Sequence, residues 1–107
     1  MNKYRILFTQ NAKDDLIEIR NYITYELLSP DISKKFIYGL RNSISQLYYF
    51  PYKFPQVKTK YIDEPSYRYM PYKNFLVFYQ IKEKNYTIHI LRILYKKKKL
   101  DRNFAIE

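Results

Sequence analysis

The chain has 107 residues, one histidine, no cysteine and a formal net charge of +10. This length suits one domain of two packed layers over residues 1–107, and a hydrophobic content of 47% argues against a disordered chain. The lack of cysteine excludes disulfides, thiol nucleophiles and cysteine-bound zinc. With no cysteine and no run of about eighteen apolar residues, we expect a cytoplasmic protein with no membrane span, no metal and no cofactor.

Two helices are predicted in the first half of the chain. A short β-type run covers residues 4–8, and Thr9 follows it as a candidate N-cap. Apolar residues then recur at helical spacing in two stripes, which Ser29 and Pro30 separate as a second helix start. The stripes are Ala12, Leu16, Ile19, Ile23 and Leu27, and then Ile32, Phe36, Leu40, Ile44 and Leu47. They predict a helical hairpin with one face towards a core, and the only glycine, Gly39, predicts close packing within the second helix.

After Pro51 the period of the apolar residues changes from about 3.6 to about 2, which predicts a sheet. Strands are predicted at residues 56–60, 67–72, 75–81 and 86–94, with a turn at residues 82–85. Without the short strand at residues 56–60, the order is β-α-α-β-β-β, an α+β fold in which the hairpin covers one face of a mainly antiparallel sheet. We expect the other face to be exposed and to carry the function.

The positive charge is concentrated in the second half of the chain. Residues 1–52 carry seven Lys and Arg against five Asp and Glu, whereas residues 53–102 carry thirteen against four. These cations alternate with tyrosines, so the surface would suit RNA, because cations bind phosphates and tyrosine rings stack on bases. An acidic protein would suit the charge equally well. The candidate binding residues are Lys58, Lys60, Arg68, Lys96, Lys98, Lys99 and Arg102.

Few residues offer catalytic chemistry. His89 has no nearby partner for a triad or a metal site, and Asp14 and Asp15 are expected at a helix start. RNA cleavage without a metal remains open, because RNA supplies its own 2′-hydroxyl and the protein needs only a proton acceptor, a proton donor and cations. The candidates for these catalytic roles are Arg68, Arg92, Tyr95 and Lys97.

Several segments of the chain resemble one known family. They are YRILFTQNAKDDLIEIRNYI, ISQLYYFPYKFP, YRYMPYKNFLVFYQI and YTIHILRILYKKKKLDRNF, which together run almost end to end. In this order and spacing they are similar to the RelE/ParE superfamily, the toxins of type II toxin–antitoxin modules. The resemblance implies the same β-α-α-β-β-β fold, a growth-arresting toxin and a cognate antitoxin that neutralises it. We expect an acidic segment of the antitoxin to cover the basic sheet face.

The superfamily has two kinds of target. RelE-like members cut mRNA on the ribosome, whereas ParE-like members poison DNA gyrase. In the nucleases an arginine typically follows the aromatic residue that opens the penultimate strand, but here Leu76 follows Phe75, and lysines follow Tyr95 in the last strand. These departures and the long hairpin favour DNA gyrase, while the net charge and Arg68 favour ribosome-dependent mRNA cleavage. A non-toxic nucleic-acid-binding module is a third alternative.

Overall fold

The computed structural model describes residues 4–61 and 63–96. In chain order its elements are β1 (Arg5–Phe8), α1 (Gln10–Asn21), α2 (Pro30–Ile44), β2 (Gln56–Lys58), β3 (Asp63–Tyr72), β4 (Phe75–Lys82) and β5 (Thr87–Tyr95). A π-turn (Tyr22–Glu26) follows α1, and short 3₁₀ turns follow α2 (Ser45–Tyr48) and β4 (Glu83–Asn85). The predicted α+β fold is confirmed. None of the described helices is long and apolar enough to cross a membrane.

The two helices begin where the sequence predicts. The Thr9 hydroxyl accepts a hydrogen bond from Ala12 N at 3.1 Å, which caps the first turn of α1. Pro30 lies at the start of α2, where its missing N–H costs nothing. The Ser29 hydroxyl makes no capping bond to α2 and instead donates to Leu27 O at 3.2 Å. α2 therefore begins at the predicted proline, and the Ser29 side chain does not cap it.

The connection between the helices is wider than an ordinary helical turn. Leu27 N donates to Tyr22 O, five residues earlier, at 3.2 Å. Leu28 then takes the left-handed conformation with φ of 52°, and Ser29 N closes the turn on Ile23 O at 3.2 Å. This turn reverses the direction of the chain. It also determines which side of the helix the last residues of the first apolar stripe occupy.

The five strands form one sheet in the order β1-β5-β4-β3-β2. β1 is parallel to β5, and the other neighbours are antiparallel, so the sheet is mainly antiparallel as predicted. Among the strands, the largest boundary difference is at the start of β3, which was predicted at residue 67 and lies at residue 63. β1 pairs with residues 87–90 only, so among the described residues the last part of β5 has no strand on that side.

The main core lies between the hairpin and one face of the sheet. Its fully buried residues include Ala12, Leu40, Leu47, Val77, Ile88 and Ile90. Two residues of the predicted stripes lie outside it, because Leu27 and Ile32 are 53% and 59% exposed. The prediction was wrong for Leu27 because the π-turn changes the helical phase before that residue. Ile32 lies in the first turn of α2, at the same end of the hairpin.

Gly39 confirms the predicted close packing in α2. A Cβ at this position would collide with the hydroxyl of Tyr72, whose ring contacts Phe36 edge-on at 5.4 Å. The side chain from β3 therefore reaches the backbone of α2, and glycine is the residue that leaves room for it.

The second face of the sheet differs from the basic surface that we expected. It carries a smaller apolar cluster, formed by buried Val57, Phe78 and Leu94 with partly buried Tyr67, Tyr69 and Leu76 around them. Because side chains alternate along a strand, this cluster faces away from the hairpin. The centre of this face is thus apolar and aromatic in the part of the chain that the structure describes.

Candidate functional site

A groove of about 680 Å³ opens between the hairpin and the ends of β4 and β5. α1 and the π-turn form one wall, and the β3–β4 turn and the end of β5 form the other. Its apolar lining includes Ile19, Ile23, Phe36, Phe75 and Ile93, and its charged lining consists of Asp15, Glu18, Lys73 and Arg92. A groove of this size and composition accommodates several side chains of a binding partner.

An ion pair between α1 and β5 lies in this groove. Asp15 accepts from Arg92 Nε at 2.9 Å and Nη2 at 3.1 Å, and the same carboxylate accepts from Ile93 N at 2.8 Å. The side chains of Arg92 and Asp15 are 23% and 9% exposed. The hydrogen bond to Asp15 raises the pKa of Arg92, while burial acts in the opposite direction. The guanidinium is therefore held by a carboxylate and is not a free phosphate-binding cation.

The same contacts complete the edge of β5 where β1 ends. The Thr9 hydroxyl donates to Leu91 O at 3.1 Å, and Asp15 takes the N–H of Ile93. These backbone groups would otherwise lack a partner at an open sheet edge. From the sequence alone Asp15 is expected at a helix start, and this role is not predicted. The available signal was the three-residue spacing of Ala12 and Asp15, which puts both on the buried side of α1.

Tyr95 and Lys96 lie at the far end of β5, beside the groove. Tyr95 is 42% exposed, and its ring contacts Phe75 edge-on at 5.5 Å. Phe75 contacts Phe36 at 5.4 Å, so aromatic rings connect the end of β5 to α2. Lys96 N donates to Asn74 O at 2.8 Å, which fixes its backbone beside the β3–β4 turn. Of the predicted catalytic residues, the structure brings Arg92 and Tyr95 to one groove.

Arg68 lies outside the groove, and its side chain binds backbone carbonyls. Its guanidinium donates to Pro65 O at 2.9 Å, Tyr52 O at 3.3 Å and Phe54 O at 3.0 Å, and it stacks on the Tyr52 ring at 4.9 Å. Arg68 thereby fastens β3 to the loop that follows α2. β4 separates β3 from β5, so the structure does not bring Arg68 together with Arg92.

Two tyrosines tie the same loop to the sheet. Tyr52 OH donates to Glu83, and Tyr79 OH donates to Pro51 O at 2.7 Å. Burial and the hydrogen bond to Glu83 raise the pKa of Tyr52 to about 12, and burial also raises the pKa of Tyr79. Both hydroxyls therefore stay protonated at neutral pH and act as structural donors.

The remaining predicted cations are spread along the sheet. Lys58 lies in β2 opposite the first residue of β3, and Lys60 follows shortly after it. Lys96 lies near the other end of β3, which is roughly 30 Å away because that ten-residue strand rises about 3.3 Å per residue. Lys97, Lys98, Lys99 and Arg102 lie outside the described residues. Of these remaining predicted cations, only Lys96 lies next to Tyr95 in the described part of the chain, whereas Lys73, which was not predicted, lines the groove with Arg92 and Tyr95.

Leu76 and His89 contribute no reactive group to the groove. Leu76 pairs with Leu94 and packs in the second apolar cluster. His89 is partly buried, and burial and Lys82 lower its pKa. Within residues 4–61 and 63–96, no cluster of His, Asp and Glu could hold a metal ion.

The sequence and the fold are similar to those of bacterial toxins. Residues 6–100 match the sequence model of a family described as the ParE toxin of the type II toxin–antitoxin system parDE. No curated protein matches the sequence.

Three solved structures share the fold. The chromosomal ParDE toxin–antitoxin system from P. aeruginosa aligns with a TM-score of 0.70 and 19% identity, over 87% of this chain and 96% of that chain. The RelBE2 toxin–antitoxin complex from Mycobacterium tuberculosis aligns with a TM-score of 0.62 and 17% identity, over 88% and 99%. A metal-bound toxin from Helicobacter pylori aligns with a TM-score of 0.52 and 17% identity, over 86% and 93%.

Proposed function

Because the chain belongs to the ParE toxin family of type II toxin–antitoxin systems, we propose that it arrests growth by poisoning DNA gyrase. A cognate antitoxin neutralises it by covering part of its surface. The ParDE and RelBE2 structures contain a toxin with its antitoxin, which supports a partner of this kind. Poisoning by binding requires a complementary surface, and it requires no catalytic group of the toxin itself.

The observation that carries the choice of gyrase is the state of Arg92. A metal-independent ribonuclease needs cations free to stabilise charge on the phosphate, close to a proton donor and acceptor. Arg92 is instead bound by both oxygens of Asp15, and Arg68 is bound to three carbonyls beyond β4. Leu76 places an apolar side chain where an arginine would favour a nuclease. These contacts support a binding toxin over a nuclease.

Ribosome-dependent mRNA cleavage is the second candidate, because Tyr95 is partly exposed beside Lys96 at the rim of the groove. Its hydroxyl would serve as a proton donor or acceptor next to a cation. This candidate requires that Tyr95→Phe reduce mRNA cleavage by more than about tenfold, the usual scale of general acid–base catalysis.

The test uses the purified toxin in a gyrase supercoiling reaction with relaxed plasmid and ATP. Gyrase poisoning predicts loss of supercoiled product and accumulation of cleaved DNA, which the antitoxin prevents. Tyr95→Phe is the variant that separates the two candidate functions. It removes the hydroxyl that mRNA cleavage would need and keeps the ring that contacts Phe75. Arg68→Ala is a poorer choice, since it removes the donors that hold the loop after α2 and would report on folding.

Pulse labelling in cells gives an independent result. With the toxin induced, thymidine incorporation should fall before methionine incorporation, and the antitoxin should restore both. If gyrase activity is unaffected in the purified reaction and methionine incorporation falls first, the gyrase proposal is wrong and the nuclease candidate replaces it.

A further inference from the structure

The loop that follows α2 carries a row of exposed aromatic rings. We call residues 48–54 the aromatic loop. Tyr48 contacts Tyr49 edge-on at 5.2 Å between ring centroids, and Tyr49 contacts Phe50 at 6.4 Å. Tyr49 and Phe50 are 66% and 62% exposed, so neither ring contributes much to the core. Adjacent exposed rings of this kind mark an interaction site more often than apolar residues exposed singly do.

The backbone of the aromatic loop is held from several sides. The Gln46 carbonyl accepts the N–H groups of the two exposed ring residues at 3.1 Å, and Phe50 O accepts from Lys53 N at 3.2 Å. Arg68 and Tyr79 donate to further backbone carbonyls of the loop. The rings are therefore exposed on a fixed backbone, and a loop fixed in advance lowers the entropy cost of binding a ligand.

Cations lie directly beside these rings. The Lys53 ammonium lies 5.4 Å from the centroid of the Phe54 ring and donates to the Gln46 side chain at 3.3 Å. The Arg68 guanidinium lies 4.9 Å from the centroid of the Tyr52 ring. Lys53 is exposed, so its ammonium is accessible to a ligand. The loop thus presents aromatic rings and cations next to one another.

The positive charge of this surface persists when its neighbours are counted. The loop adjoins β2 and the start of β3 along the chain, and a hydrogen bond from Tyr52 to Glu83 ties it to the β4–β5 turn. Residues 45–68 and 82–86 together carry six Lys and Arg against three Asp and Glu. One of these acids, Glu83, is bonded by the Tyr52 hydroxyl, and another, Asp63, pairs in register with Lys58. The surface therefore attracts polyanions.

We infer that the aromatic loop binds single-stranded nucleic acid, with bases stacked on Tyr49 and Phe50 and a phosphate paired with Lys53. Each nucleotide carries a base with a flat face and a phosphate, which matches rings and cations at close spacing. An acidic peptide would pair with the cations but would offer the ring faces no matching surface. The loop does not line the groove, so the inference goes beyond the proposed function and does not depend on it.

The test measures binding of the purified toxin to labelled oligo-dT and oligo-rU of about twelve nucleotides by fluorescence anisotropy. Tyr49→Ala and Phe50→Ala should each weaken binding at least about fivefold, the low end of the stacking contribution of one base. Both residues are exposed, so both variants should keep the wild-type Tm. A dA·dT duplex of the same length should bind more weakly, because its bases already stack on one another. The tighter of the two oligonucleotides shows whether DNA or RNA is preferred.

A tyrosine outside the loop controls for general loss of surface rings. Tyr38 is 73% exposed in α2, and Tyr38→Ala should bind both oligonucleotides as the wild type does. The chain contains no tryptophan, so Phe50→Trp places a single fluorophore in the loop. Its emission should be quenched when oligo-dT stacks on it, whereas Tyr38→Trp should show no such change.

The phosphate contact has its own measurement. Lys53→Gln should reduce the slope of log affinity against log salt concentration by about 0.7, the value for one phosphate of a single strand. Lys34 is an exposed lysine in α2, and Lys34→Gln should leave the slope unchanged. An unchanged slope in Lys53→Gln would overturn the assignment of the phosphate to this lysine.

Four outcomes would overturn the inference as a whole. The first is a wild-type toxin that binds neither oligonucleotide. The second is equal binding by Tyr49→Ala, Phe50→Ala and the wild type, because charge elsewhere on the chain would then account for the affinity. The third is an equal loss in Tyr38→Ala. The fourth is that the two loop variants lose affinity for the antitoxin and not for the oligonucleotides, since the loop would then be a protein-binding surface. Gyrase takes no part in these measurements, so none of the outcomes bears on the proposed function.

Discussion

Replacing Gly39 with alanine should destabilise the protein, although alanine is the better helix former by about 1 kcal/mol. The added Cβ would collide with the Tyr72 hydroxyl, and the edge contact with Phe36 at 5.4 Å restrains the ring that carries it. Overpacking of this kind costs about 1–3 kcal/mol. Gly39→Ala should therefore lower the free energy of unfolding by up to about 2 kcal/mol after the gain in helix propensity.

Tyr72→Phe should reverse the sign of this effect. With the hydroxyl removed, the nearest ring atom is Cζ, which lies 3.4 Å from the position of the new Cβ, an ordinary contact. In the Tyr72→Phe background, Gly39→Ala should then stabilise the protein by up to about 1 kcal/mol. The two substitutions should couple by roughly 1–3 kcal/mol, in the range found for residues in direct contact.

Urea unfolding of the wild type, both single variants and the double variant measures this coupling. A change of 1 kcal/mol corresponds to about 4–8 °C in Tm for a domain near this size, so melting curves provide a second reading. Asn42→Ala is the control, because Asn42 is exposed in α2 and should combine additively with Tyr72→Phe. If Gly39→Ala has the same effect in both backgrounds, the hydroxyl contact is not the reason for the glycine.

Three further predictions concern individual side chains. Asp15→Ala should lower the free energy of unfolding by about 2–4 kcal/mol, because it leaves the partly buried Arg92 charge unpaired; a loss below about 0.5 kcal/mol in urea would show that the pair contributes little. Thr9→Val and Thr87→Val make the same chemical change with opposite results. The Thr9 hydroxyl caps α1 and bonds β5, so its loss should cost about 1–2 kcal/mol. The Thr87 hydroxyl is buried without a hydrogen-bond partner among the described residues, so its replacement should leave Tm unchanged or raise it. Burial lowers the pKa of His89 in the folded state from its ordinary value of about 6.5. Above that pH, His89 is neutral in the folded and the unfolded protein. As the pH falls below it, the unfolded chain takes up the proton before the folded protein does, so the free energy of unfolding should decrease until the pH reaches the folded pKa. Urea midpoints measured between about pH 5 and 8 should therefore depend less on pH in His89→Gln than in the wild type. An unchanged pH dependence would show that other groups cause it.

Local features of the sequence predicted most of the secondary structure. The cap at Thr9 and the proline at Pro30 mark helix starts through their own backbone and side-chain chemistry, so they can be recognised without the rest of the fold. The change of apolar period after Pro51 likewise predicted strands that the structure contains. The π-turn was not predictable, because no residue type in Tyr22–Glu26 is specific to it.

The candidate site depended on contacts between distant residues. Arg92 and Tyr95 were identified as candidates because of their residue types, and the structure places both in one groove. The sequence could not show that Asp15, seventy-seven residues earlier, binds Arg92 with both oxygens. Nor could it show that the acceptors of Arg68 are backbone carbonyls, which every residue carries and which no side-chain pattern reveals.

The sequence by itself determined the α+β order of elements, the family resemblance and the positive net charge, because periodicity, capping and composition act locally or in sum. Only the tertiary structure decided which charges are free. It paired Arg92 with a carboxylate and tied Arg68 to a loop. The value of a charged or apolar side chain depends on what surrounds it after folding, and those neighbours come from distant parts of the chain.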